Sequence, residues 1–352
     1  MSETSRVAVV LFNLGGPDST EAVRPFLHNL FSDPAIINAP GLIRRMLAWL
    51  IARRRAPIAR RIYEEIGGRS PILPLTEAQA AALQARLREI GIDARVFIAM
   101  RYWHPMSGET AREVASFKPD QVILLPLYPQ YSTTTTGSSA AAWREAAVVT
   151  GLAARTSMAC CYPRQGGWIA AQARLIGEAM SRVPAGERTR ILFSAHGLPK
   201  RVIAAGDPYQ WQVEQTAAAV IEILGDAEID HRICYQSRVG PLEWIGPSTE
   251  AELERAAADG VGVVLTPIAF VSEHSETLVE LDIEYRQRAE KLGIRHYIRV
   301  PAVGTAPEFI AGLAEVVAAG LRHGGDVVPP AGKRLCPISI GRCACGVSGQ
   351  EE

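Results

Sequence analysis

The sequence predicts an α/β protein built from two similar Rossmann-like domains, each a doubly wound parallel sheet, facing a common cleft. Three observations carry this. Short apolar runs at Val7–Asn13, Gln121–Pro126 and Gly262–Phe270 each end in a polar or glycine-containing turn, the pattern of strands buried on both faces. Segments with helical periodicity separate such runs, which calls for parallel strands joined through crossover helices. The two halves also echo each other. Val10-Leu-Phe-Asn-Leu-Gly-Gly-Pro17 matches Ile191-Leu-Phe-Ser-Ala-His-Gly-Leu-Pro199, and Val122-Ile-Leu-Leu-Pro-Leu-Tyr-Pro-Gln-Tyr-Ser132 matches Val263-Val-Leu-Thr-Pro-Ile-Ala-Phe-Val-Ser272.

Along the chain, a helix is expected from about Glu21, after the Gly15-Gly16-Pro17 turn. Pro40–Tyr63 mixes Leu42, Ile43, Met46, Trp49, Leu50 and Ile58 with arginines that include Arg53, Arg54 and Arg55. It reads either as an amphipathic helix packed on the domain or as an exposed apolar lip, suited to a membrane interface or to an apolar ligand with acidic groups. Gly67–Pro71 is a turn, and Thr76–Ile90 a helix closed by Gly91. Ala94–Met100 is a strand that runs into Arg101-Tyr-Trp-His-Pro105, placing a cation and aromatics at a strand's carboxyl end. A hydroxyl-rich loop, Leu127–Gly137, precedes a helix over Ser138–Ala147.

The second half holds a helix over Trp168–Met180, then strands at Arg190–His196, His231–Gly240, Gly262–Phe270 and Tyr297–Pro301, and a helix over Ala306–Arg322. The expected division is a first domain over 1–160, carrying the lip at 40–63 and completed by the helix 306–322, a second over 161–305, and an extension over 323–352.

Composition narrows the function. The 37 basic and 37 acidic residues cancel, so no net field draws a polyanion and nucleic acid is not an expected partner. No N-terminal stretch has the build of a secretory signal, which makes a cytoplasmic address the expectation. Leu42–Ile51 is half the length of a membrane span and carries two arginines. Gly15-Gly16-Pro17 lacks the third glycine of a dinucleotide fingerprint, and no Gly-x-Ser-x-Gly elbow accompanies Ser194.

The chemistry concentrates in three places. His196 sits where a strand should end in the cleft, and a neutral imidazole there suits a base or a metal ligand. After the Gly262–Phe270 strand a helix with Ser272 as its N-cap is expected, on which Glu273, Glu276, Glu280 and Glu284 share one face and Leu278, Leu281 and Tyr285 form the apolar stripe. Stacked carboxylates repel by about 0.2–0.5 kcal/mol per pair, so a cation is expected against that face. Imidazole plus carboxylate without thiolate suits a divalent cation that is held weakly and passed on. Beyond Pro329-Pro330, Cys336, Cys343 and Cys345 fall within ten residues, and with Cys160 or Cys161 they would make a four-thiolate site for structural zinc or an iron–sulfur cluster. Cys234, inside an apolar strand, reads as core.

Asn13–Pro17, Gly67–Ile72, Tyr128–Ser132, Ser194–Pro199, Gln236–Pro241 and Phe270–Leu278 together resemble the ferrochelatase family, whose fold is the chelatase-like pair of Rossmann-like domains. The resemblance implies insertion of ferrous iron, as substrate, into protoporphyrin at the last step of haem synthesis. It assigns His196 and Glu276 as the central pair, binding iron or taking the pyrrole protons, with Glu273, His274 and Glu280 lining the path. Tyr63, Arg101, Tyr102 and Trp244 would border the macrocycle, with Arg55 and Ser70 near its propionates and Leu14 over its face. The lip would meet both porphyrin and membrane, which places the protein at the inner membrane as a peripheral contact, with a homodimer as one arrangement. A [2Fe–2S] cluster is implied, held in the manner of some bacterial members by the C-terminal cysteines and Cys160 or Cys161, because Thr133 stands where the animal members have their internal cysteine. Two alternatives remain: a cobalt chelatase acting on a reduced tetrapyrrole, and a non-catalytic tetrapyrrole or metal carrier.

Overall fold

A computed structural model describes residues 6–225, 228–237 and 242–346. The chain divides into two compact units, one of residues 1–161 with 313–335, the other of residues 162–312 with 336–352. This partition cuts through the C-terminal helix and shares the tail between the units.

Unit 1 is built on β1 (Val7–Asn13), α1 (Val23–Ser32), α2 (Gly41–Glu64), α3 (Ile72–Glu89), β2 (Ala94–Met100), α4 (Ser107–Phe117), β3 (Gln121–Pro126), α5 (Thr136–Thr150) and β4 (Arg155–Ala159). Unit 2 carries α6 (Gly166–Met180), β5 (Thr189–His196), α7 (Lys200–Ala204), α8 (Tyr209–Leu224), β6 (His231–Gln236), α9 (Thr249–Ala258), β7 (Gly262–Pro267), a π-helix (Glu276–Glu284), α10 (Tyr285–Lys291) and β8 (Tyr297–Arg299). Helix α11 (Pro307–Arg322) and the two-residue β9 (Val327–Val328) follow.

Both sheets are parallel, ordered β2-β1-β3-β4-β9 and β6-β5-β7-β8. In each, the second strand in sequence lies on one side of the first and the third on the other, so the order reverses beside β1 in one unit and beside β5 in the other. The sequence echo pairs these same strands, β1 with β5 and β3 with β7. Every residue of β1 and of β7 is buried, as expected where helices cover both faces of a parallel sheet. Strands β2 and β3 occupy the expected residues, and α3 starts four residues earlier than the periodicity indicates, at Ile72. The expected strand from His231 ends at Gln236, with Arg238–Pro241 outside the described residues.

Helix α2 resolves the two readings of the 40–63 segment. Its buried positions are Ala48, Ala52 and Ala56, a small-residue stripe at i, i+4 spacing, and Tyr63 near its end; Ala52, Ala56 and Tyr63 pack with Val23, Phe26 and Leu27 of α1. The large apolar side chains point outward: Leu42 is 83% exposed, Ile58 64% and Met46 63%, with Ile43, Trp49 and Leu50 near half. Among the described residues no helix is long and apolar enough to cross a membrane.

Close backbone approach fixes the start of α6. A Cβ on Gly167 would stand 2.1 Å from the Glu308 carbonyl oxygen and 3.1 Å from the Gly312 Cα, so no side chain fits. Gly167→Ala is therefore expected to cost about 1–3 kcal/mol, read as a lowered Tm in thermal unfolding.

Candidate functional site

The central pair lies where unit 2 reverses its strand order. Strand β5 ends at His196, in register with Gln236 at the end of β6, and the Gly197 N–H closes that edge on the Gln236 carbonyl at 2.9 Å. On the other flank β7 runs through residues 268–275 into the π-helix. Such a switch point, at the carboxyl ends of parallel strands, leaves the following loops diverging and their side chains free to converge. The result is a hydrogen bond of 2.9 Å between His196 Nδ1 and Glu276 Oε2, with the side chains 38% and 25% exposed.

The expected α-helical face of four carboxylates is corrected by the structure. Residues 276–284 form a π-helix, in which the Tyr285 N–H reaches back five residues to the Glu280 carbonyl. Its N-cap is Ser275, not Ser272, which is buried in the preceding loop. The wider turn keeps Glu276 and Glu280 together on Ser237, while Glu284 is exposed and the buried stripe is Thr277, Val279 and Leu281 in place of Leu278. Glu273 lies outside the helix: its Oε1 pairs with Arg299 at 2.8 Å and accepts the Ala302 N–H at 2.9 Å. It is spent in an ion pair that pins the entry to the π-helix.

Ser237 has a role that sequence reasoning did not assign. Its backbone is left-handed, φ 61°, a conformation costing a non-glycine residue roughly 1–2 kcal/mol. In it the N–H donates to Glu280 Oε1 at 2.8 Å, while the hydroxyl lies between Glu280 Oε2 and Glu276 Oε2, the latter at 3.2 Å. Its presence in the Gln236–Pro241 motif was the available signal. One hydroxyl proton cannot serve two carboxylates at once, so Ser237 donates to one of them at a time.

The electrostatics follow from that arrangement. Burial alone would push the His196 imidazole down, but the Glu276 charge and hydrogen bond outweigh it, with Glu280 adding, and the net direction is up. Burial raises Glu276, yet the facing His196, His274 and Ser237 hold it well below the usual carboxylate range. Glu280 goes the other way, raised by burial and then by the Glu276 charge. His274 is lowered chiefly by burial and is therefore neutral near pH 7. With its Nδ1 3.2 Å from the Ser272 carbonyl, Nδ1 is the donor in the assigned tautomer, which leaves the Nε2 lone pair 4.0 Å from Glu276 Oε2. Imidazole nitrogen and carboxylate oxygen thus converge without a proton between them.

Trp244 stays beside this centre through a bridge to Pro199, just beyond His196, and its buried indole N–H meets no acceptor among the described residues. The remaining expected macrocycle contacts lie in unit 1. Leu14 and Arg101 are held at the ends of β1 and β2, where the Arg101 N–H donates to the Asn13 carbonyl and the Tyr102 N–H to the Leu14 carbonyl. Arg55 sits over the Phe31 ring at 5.9 Å, Tyr63 is buried in the α1–α2 core, and Ser70 packs under Gly16. Tyr102 is 1% exposed, and its hydroxyl donates to Asp33 Oδ2 at 2.7 Å. Asp33, which sequence reasoning passed over, also takes the Arg101 guanidinium at 2.9 Å and the Ser138 hydroxyl. It fixes Arg101, so Tyr102 supports that cation from beneath, with the guanidinium 4.9 Å over its ring.

Cys343 and Cys345 of the tail are described side chains suited to holding a metal. In unit 2 the two tail sulfurs lie within 4.8 Å of each other. Cys336 is buried and its sulfur accepts from Gln212 Nε2 at 3.1 Å, while Cys161 is buried beside Cys160 in sequence. An all-thiolate set fits either an iron–sulfur cluster or structural zinc. Cys234 is core, with burial pushing its thiol up to about 12.

The ferrochelatase family model matches residues 6–321. The chain belongs to the ferrochelatase family. The ferrochelatases of Caulobacter vibrioides (strain NA1000 / CB15N) and Phenylobacterium zucineum are 56% and 54% identical to it, covering 97% and 98% of this chain and 98% and 99% of their own lengths. SirB from Bacillus subtilis with Fe3+ superposes with a TM-score of 0.51 at 12% identity, covering 90% of this chain and 96% of its own, and so shares the fold. The ferrochelatase match does not favour the cobalt-chelatase reading.

The charge balance around His196 has a measurable sign. Its NMR titration midpoint is expected above that of an ordinary histidine. Glu276→Gln removes the larger of the two charges that raise it and leaves burial opposed only by Glu280, so the midpoint should fall. A midpoint unmoved by the substitution would contradict the pairing.

Proposed function

We infer that this chain is a lyase that inserts ferrous iron into protoporphyrin to form protohaem, releasing two protons. The observation that carries the reading is the His196–Glu276 hydrogen bond at the strand-order reversal of a ferrochelatase-family domain. Metallation exchanges two pyrrole protons for one Fe²⁺, so the site must supply a base and a ligand set that lets the metal go.

With Nδ1 occupied by Glu276, Nε2 is the end of His196 open to the macrocycle. As it takes a proton, the Glu276 carboxylate balances the imidazolium. Glu276 and the neutral His274 Nε2 offer oxygen and nitrogen donors to Fe²⁺, which bind less tenaciously than thiolates and permit transfer. Only neutral His196 can act as base, so the rate should rise with pH through its raised pKa. Glu280, raised toward neutrality, is poised to accept protons passed through Ser237. Leu14, Arg55, Tyr63, Ser70, Arg101 and Trp244 are proposed to hold the porphyrin, with Asp33 and Tyr102 orienting Arg101. The exposed apolar and arginine-rich α2 suits a peripheral contact with an anionic membrane.

His196→Ala and Glu276→Ala are each expected to lower the rate of iron insertion by about 10²–10⁴-fold while porphyrin binding, followed by fluorescence quenching, is retained. Full activity in either would sink the assignment.

For the cysteines we propose a [2Fe–2S] cluster held by Cys336, Cys343, Cys345 and one of the adjacent Cys160 and Cys161. Bound there, the group would supply a cross-link between the tail and the body of the chain. Purified protein should show visible absorbance that Cys343→Ser abolishes; a colourless protein with stoichiometric zinc would contradict the cluster.

A further inference from the structure

The hydrogen-bonded chain that begins at the pair does not stop at Glu280. The Tyr285 hydroxyl lies 3.0 Å from Glu280 Oε1 and 3.4 Å from Glu250 Oε1. Its ring is 4% exposed and packs in the core that contains Leu253, Ala256 and Leu281. Phenylalanine would fill that space, so packing does not account for the hydroxyl. Glu250 belongs to the first turn of α9 and is partly exposed, which opens this end to water. The remaining neighbours do not compete. Cys234 keeps its proton, and the buried Glu252 is paired with Arg255 at 2.9 Å.

We propose that Tyr285 and Glu250 form the outward leg of the proton path, carrying protons from Glu280 to solvent at α9. This rests on the metallation reading above. A proton that reaches Glu280 through Ser237 makes it a neutral acid, and rotation of that carboxyl presents the proton to Tyr285. There an O–H bond forms on the phenol oxygen as the bond to Glu280 breaks, while the original phenol proton passes to Glu250 and on to water. No electrons move, and the hydroxyl, whose new proton points at Glu280, resets by turning toward Glu250. Burial, then the Glu280 and Glu250 charges, push the phenol's own ionisation far up, so it exchanges protons without becoming a phenolate. Tyr285 also follows directly from the π-helix, whose i→i+5 bond ties its N–H to the Glu280 carbonyl and fixes the two residues together.

The test uses the full-length protein, with the unmodified chain assayed first for iron insertion, so that failure there counts against the metallation reading and not against the relay. Tyr285→Phe should lower kcat by on the order of tenfold with KM for iron and porphyrin unchanged. It should also raise the solvent deuterium isotope effect on kcat. A diffusible base, imidazole in the assay buffer, should restore rate to the variant and not to the unmodified chain. Glu250→Gln, on a partly exposed helix turn, should reproduce the isotope effect and the rescue. Unchanged kcat and isotope effect in Tyr285→Phe would overturn the proposal, as would a loss that imidazole does not rescue in both variants.

Discussion

The hydrogen bond between His196 and Glu276 is the constraint around which unit 2 is arranged. It joins the end of β5 to the first residue of the π-helix, and its value to chemistry depends on neither group finding another full partner. The carboxylate stays ionised because an imidazole faces it, and the imidazole gains basicity because the carboxylate faces it. Burial opposes both effects, and the short distance overrides it.

Much of the surrounding structure keeps that pair supplied and uncrowded. The π-helix trades helical regularity for bringing Glu276 and Glu280 onto one serine. Ser237 accepts a strained backbone to sit between them, and Arg299 removes Glu273 from the group. A uniform row of four carboxylates would have repelled itself. The folded chain instead places one in an ion pair, one against histidine, one at a raised pKa and one in water.

In unit 1 the corresponding economy is centred on Asp33. A single buried carboxylate oxygen takes donors from Arg101 and Tyr102 after β2 and from Ser138 in α5, and so fixes a cation at the end of β2. Removing one member of a buried group like this leaves the others unpaired, which is why such sites hold their geometry. Helix α2 shows the reverse logic: alanines carry its packing, and the large apolar side chains stay exposed.

The sequence by itself determined the two parallel sheets, because short continuous apolar runs report burial on both faces, and the repeated strand-loop motifs reported that the halves are alike. Residue types joined His196 to the acidic row as a whole, and the resemblance to the ferrochelatases singled out Glu276 within it. Only the tertiary structure decided the π-helix, since a sequence wheel assumes the α-helical period and a one-residue change in hydrogen-bond spacing is invisible to it. Ser237 and Asp33 were missed for a related reason. A small polar residue acquires its role from partners 39 to 105 positions away, and no local pattern carries that distance. Glu273 and Glu276 are chemically alike in the sequence; what separates them is that the fold brings Arg299 to one and His196 to the other.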